Sequence, residues 1–128
     1  MISVGTVGEK KIWVTNIELA SALGSGSLPV FATPAMVLLI ESTAYESVLP
    51  ELGEGESTVG ISLNIKHTAP SVEGSEITCR TELIEVDRSR LVFRAEVSDG
   101  SGPIGTGTHE RFLVKSEAFM SKARERRE

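Results

Sequence analysis

Alternation of apolar and polar residues dominates the second half of the chain. In TVGISLNIKHTAP, Ile61, Leu63, Ile65 and His67 recur on one side and Ser62, Asn64, Lys66 and Thr68 on the other. That is the period-two pattern of a strand with one buried face. SEITCRTELIEVD repeats it with Ile77, Cys79, Thr81 and Leu83, then shifts phase at Leu83-Ile84, which predicts a bulge or a strong twist. RLVFRAEVSDG sets Leu91, Phe93, Ala95 and Val97 against Arg94, Glu96 and Ser98. GPIGTGTHERFLV reads as a last strand, with Gly105 and Gly107 leaving room for a close neighbour. The stretches DRSR and SDGSGP separate these strands at hairpin length. Near the start, VGEKKIWVT over 7–15 predicts a first strand, with Ile12 and Val14 on one side and Trp13 on the other.

Between the first strand and the others the period changes. NIELASAL over 16–23 predicts a short helix capped by Asn16, and GSGSLP is a flexible loop. A long helix then runs from Thr33 to near Pro50, with Thr33 as its N-cap and Pro34 at its first helical position. SEAFMSKARERRE predicts a C-terminal helix. The long helix is apolar on nearly every side, and the strands have one apolar face each. An antiparallel sheet in meander order, wrapped around the helix, satisfies both, and that packing is an α+β fold. A helix so apolar needs more cover than one small sheet supplies, so a homodimer is expected.

Composition narrows the partners. At 128 residues the chain is one domain, 1–128, and 40% hydrophobic with 24% charged residues is the balance of a folded chain. A net charge of −5 speaks against nucleic acid, which needs a surplus of Lys and Arg. The basic tail SKARERRE alternates with Glu125 and Glu128 and reads as a solvated helix end. Cys79 is the one cysteine, so neither an internal disulfide nor a cysteine-based structural zinc site is open to the chain. MISVGTVGEKK lacks the form of a secretory signal, and the apolar run 34–40 is too short for a bilayer. A soluble cytoplasmic protein, without membrane or nucleic-acid partners, is the expectation.

Two side chains break the apolar pattern. Glu41 lies in the long helix with Val37, Leu38, Ala44 and Tyr45 three and four residues away. His67 ends a strand whose apolar residues are to face that helix, so a Glu41–His67 pair would explain both, poised for proton transfer near neutral pH. Thr33 stands at a helix start that offers free backbone donors. Gly60 permits close approach to the backbone, and its N–H is a candidate oxyanion donor. His109 and Arg111 share a parity opposite to Ile104, Thr106 and Thr108, which turns them to solvent or to a dimer partner and makes them candidates for an anionic cofactor tail. Neither GxxxxGK[ST] nor GxSxG occurs.

FATPAM with Glu41, VGISLNIKHTA and GTGTHER, in this order and spacing, resemble the hotdog-fold thioesterases of the fluoroacetyl-CoA thioesterase-like group, from about Val30 to about Lys115. The resemblance implies a sheet wrapped around a long helix, with active sites at the interface of two chains. It implies hydrolysis of an acyl-CoA thioester to free acid and CoA, with Thr33, Glu41 and His67 catalytic and Gly60 contacting the thioester carbonyl. No metal or other prosthetic group is implied, coenzyme A entering as part of the substrate. The fluoroacyl-specific type carries aromatic residues before FAT, where this chain has GSGSLP. The acyl group is therefore open, with a short chain expected because Phe31, Met36 and Leu38 would crowd a long one. The rival reading is a non-catalytic hotdog protein that binds acyl-CoA; assembly beyond the dimer is left open.

Overall fold

The structure, a computed structural model, describes residues 1–127. Five strands, β1 (Val7–Trp13), β2 (Glu56–His67), β3 (Glu76–Asp87), β4 (Arg90–Asp99) and β5 (Gly102–Lys115), form one antiparallel sheet. Helices α1 (Ala20–Leu23), α2 (Thr33–Val48) and α3 (Ser116–Glu125) complete the chain. Strand order across the sheet is β1-β3-β4-β5-β2. Only β3, β4 and β5 form a meander, so the expected run of four is corrected. After β2 the chain crosses to the far side of β4, and β2 is left at an edge beside β5. The segment 68–75 that makes this crossing is too long for a hairpin turn, and its Ser71 carbonyl accepts from Phe31 N–H at 2.8 Å.

Helix α2 lies on the sheet and contributes to two apolar clusters. Its first half, with Ala35, Met36, Leu39 and Ile40, joins Ile77, Cys79, Ala95, Val97 and Ile104. Its second half, with Ala44 and Val48, joins Leu83, Leu91 and Phe93. Close approach requires small residues beneath the helix. A Cβ on Gly8 would stand 2.7 Å from Ser47 Cβ and 2.9 Å from the Thr43 carbonyl oxygen. A Cβ on Gly105 would stand 2.5 Å from Met36 Sδ. The neighbour expected beside Gly105 is thus the helix itself. Met36, expected to crowd an acyl chain, is fully buried in this core.

Two local expectations change. Residues 16–23 do not form one helix: Thr15, not Asn16, caps a 3₁₀ turn over Asn16–Glu18, and α1 follows separately. The cap of α2 is Ala32, with no side-chain hydrogen bond, and Thr33 is already helical. Its hydroxyl is therefore free of the capping role.

Three strand irregularities decide which side chains face α2. The expected slip near Leu83 is present, between Leu83 and Glu85 in the pairing with β4. A second lies between Gly60 and Ser62, where Ile61 has no partner on β5. Ile61 is therefore 50% exposed rather than aligned with Leu63 and Ile65, which pack on the core. A third leaves Ile104 unpaired between Pro103 and Gly105. Ile104 and Gly105 are consecutive yet both buried, so counting parity from Ile104 assigns the rest of β5 to the wrong face.

The Gly8 contact gives a direct test. Gly8→Ala is expected to lower unfolding free energy by about 1–3 kcal/mol through overpacking against Ser47 and Thr43. Urea denaturation of the two proteins measures it.

Candidate active site

The catalytic candidates form two groups along α2. At the N-terminal end, Thr33 Oγ1 and His67 Nδ1 are 2.9 Å apart. Phe31, buried behind them, meets the His67 ring edge-on at 6.1 Å between centroids. These residues line a cleft of about 380 Å³, together with Ala20, Ser25, Val30, Ala32, Ala69 and Pro70. His67 Nε2 is shielded from solvent and has no hydrogen-bond partner. Burial lowers the His67 pKa from 6.5, partly offset by the Ala69 backbone, so the ring is neutral at pH 7.

The second group surrounds Glu41, eight residues further on, or about 12 Å along the helix axis. Glu41 Oε2 lies 3.7 Å from Arg111 NH1, its carboxylate 39% exposed and the guanidinium nearly buried. Gly60 sits directly beneath: a Cβ there would overlap Glu41 Oε2. The glycine expected to admit a ligand thus first admits this carboxylate. Arg111 donates through Nε to Thr58 Oγ1 at 2.8 Å and through NH2 to the Thr58 carbonyl at 2.9 Å. Its Cζ stands 5.5 Å from the Tyr45 ring centroid, within cation–π range. Burying a guanidinium is tolerable here because these acceptors, the ring face and Glu41 surround it.

The Glu41–His67 pair expected from the sequence does not form within one chain, since each side chain has another neighbour. His109 and Arg111 also differ from expectation. They face α2, not solvent, and His109 is 1% exposed. The reason is the Ile104 irregularity, which reverses the parity of the strand. Sequence reading missed Thr58 and Tyr45 as partners of Arg111. The available signal was spacing: Thr58 shares Gly60's face before the Ile61 irregularity, and Tyr45 lies one turn after Glu41. Among the described residues no three His, Cys, Asp or Glu side chains are grouped to hold a metal. No described helix is long and apolar enough to cross a membrane.

A long helix seated against a five-stranded antiparallel sheet is the architecture of the hotdog class. A hot-dog-like protein from Thermanaerovibrio acidaminovorans superimposes with a TM-score of 0.90 at 25% identity, over 98% of this chain and 93% of that one. The family model described as fluoroacetyl-CoA-specific thioesterase matches residues 14–117, and the chain belongs to that family. The fluoroacetyl-CoA thioesterase of Streptantibioticus cattleyicolor is 38% identical over 97 residues, 76% of this chain and 70% of that protein. A crystallised variant of the fluoroacetyl-CoA-specific thioesterase, in complex with fluoroacetate and CoA, superimposes at a TM-score of 0.87. It shares 31% identity, over 92% of this chain and 99% of its own.

Both imidazoles are held below their ordinary pKa of 6.5, His109 chiefly by burial like His67. Below that pH the unfolded chain binds protons that the folded chain refuses, so stability is expected to fall with falling pH. Denaturation midpoints between about pH 7.5 and 5.5 should show this slope, and it should flatten in His109→Gln.

Proposed function

We propose that this chain is a thioester hydrolase that cleaves a short acyl-CoA to the free acid and CoA, using Thr33, Glu41 and His67. The carrying observation is the shielded, unpartnered Nε2 of His67, in a ring already held by Thr33 at the cleft. A buried polar nitrogen left unpaired is costly unless a substrate or another chain completes it. The cleft lies near the small end of ligand-site volumes, which suits a short acyl group better than a long one.

The separation of Glu41 from His67 is resolved by a homodimer. Strand β2 is an unpaired edge, and Ile61 stands exposed on it. On α2, Leu38 and Tyr45 lie seven residues apart on one exposed stripe, which Leu49 continues. A second copy would cover this surface and complete the sheet edge. Antiparallel β2–β2 pairing centred near Leu63-Asn64 would set Gly60 and Glu41 of one chain opposite His67 of the other. Each site would then draw Thr33 and His67 from one protomer and Glu41 from its partner.

In this site Glu41 supplies the attacking charge, either directly on the thioester carbonyl or by taking a proton from an attacking water. The Gly60 N–H donates to the developing oxyanion. Either route consumes one water, breaks the carbon–sulfur bond and leaves the proton to the CoA thiolate. A thiol with pKa ~8.5 leaves without a strong acid. His67, neutral and oriented by Thr33, relays the proton. The reaction uses no metal or other prosthetic group, and its setting is the cytoplasm.

Glu41→Gln should reduce thiol release from a panel of short acyl-CoA esters at least about 100-fold, with the dimer intact by sedimentation. Binding of acyl-CoA by the wild type without hydrolysis would instead support the non-catalytic alternative. Mixing Glu41→Ala with His67→Ala subunits tests the shared site. Mixed dimers would carry one intact site, and activity should return to about a quarter of wild type under random reassortment. Sites confined to one chain would give none.

A further inference from the structure

His109 is almost wholly buried, and a core position of this kind has no need of an imidazole. Its ring lies over Phe93, centroids 6.2 Å apart and 29° between planes. Nδ1 is 2.9 Å from the Ser62 carbonyl oxygen, and Nε2 is 3.2 Å from Arg111 NH1. The first partner can only accept, so the Nδ1 position carries the proton. The second can only donate, because a guanidinium has no lone pair to offer. Both contacts are satisfied by one species, the neutral ring with its proton on Nδ1. Arg111 NH1 is also the nitrogen nearest Glu41 Oε2.

We propose that His109 is a positioning residue of the thioesterase site: its bare Nε2 aims Arg111 NH1 at Glu41, and so sets where that carboxylate stands over Gly60. The inference rests on the catalytic reading of Glu41 given above. Protonation of the ring would put an N–H against an N–H and one cation against another, and would turn Arg111 away. The charged and titratable groups around the ring all enter this balance. Glu41 and Tyr45 come from α2, Tyr45 by way of Arg111, and Arg111 itself comes from β5. Glu110, also on β5, is engaged by Arg90 at 2.9 Å. β2 supplies the Ser62 carbonyl, and β4 the Phe93 ring. Burial and the Arg111 charge both act to keep the ring neutral.

The test combines kinetics with an observation independent of turnover. His109→Leu fills the space but removes the acceptor, and should lower kcat on the order of 10- to 100-fold with little change in KM. His109→Gln restores an acceptor that does not titrate. It should recover most of the rate and lose the contribution of His109 to the acid limb of the pH–rate profile. The chain has two histidines, so ¹⁵N spectra resolve two rings, and His109→Gln assigns them. In wild type at pH 7, the His109 ring should show a protonated Nδ1 and a bare Nε2. A charged ring, the opposite tautomer, or wild-type kcat in a folded His109→Leu dimer would overturn the proposal. If His109→Leu does not fold, the Gln variant and the spectra decide. Absence of hydrolysis by the wild type would sink the thioesterase reading and the catalytic consequence with it, while the spectra still decide whether the ring is the acceptor for Arg111.

Discussion

Helix α2 is seated at contact distance on the sheet, and the rest of the structure depends on that seat. Three glycines lie beneath it on three different strands. Gly8 on β1 lies under Ser47, Gly105 on β5 under Met36, and Gly60 on β2 under the Glu41 carboxylate. A side chain at Gly8 would lift the helix from the core, whereas at Gly105 it would push aside the thioether end of Met36. At Gly60 it would displace the end of a flexible side chain, so that glycine places a charge more than it supports a fold. The helix has no side-chain N-cap, and its stability comes from the two apolar clusters it fills.

Between those clusters the interior turns polar. Along α2, Glu41 and Thr43 separate the residues of the first cluster from those of the second, and on β3 Thr81 does the same. Arg111 is buried there with three of its donors directed to Thr58 Oγ1, the Thr58 carbonyl and His109 Nε2, and its charge faces Glu41. An ion pair in which only the guanidinium is buried is poor evidence for stability, because desolvating that charge offsets the gain. Its value is geometric: it gives Glu41 a fixed place on a helix face that could otherwise leave the carboxylate free.

The candidate residues fall in two groups along α2. Thr33 and His67 stand at its N-terminal end, and Glu41, Gly60 and Arg111 at its middle. A rigid helix cannot bring residues 33 and 41 together, so the division is a property of the element itself. An open β2 edge and exposed apolar residues at Leu38, Tyr45 and Ile61 give the proposed two-fold assembly both a reason and a place. On that view, dimerisation completes the hydrophobic cover and the active site together.

The order of elements, the alternation of β3 and β4, the slip at Leu83 and the departure of Glu41 from an apolar helix were all legible in the chain. Each depends on local periodicity, which residue identity carries directly. The partners of Glu41 and His67 were not legible, and neither was the inward face of His109. Single unpaired residues at Ile61 and Ile104 reverse the parity of everything beyond them, and an unpaired residue exists only relative to its neighbouring strand. The crossing of β2 to the far edge likewise depends on long-range pairing. The sequence by itself determined which groups are available for chemistry; tertiary structure decided which of them meet, because register is a relation between strands and no single strand contains it.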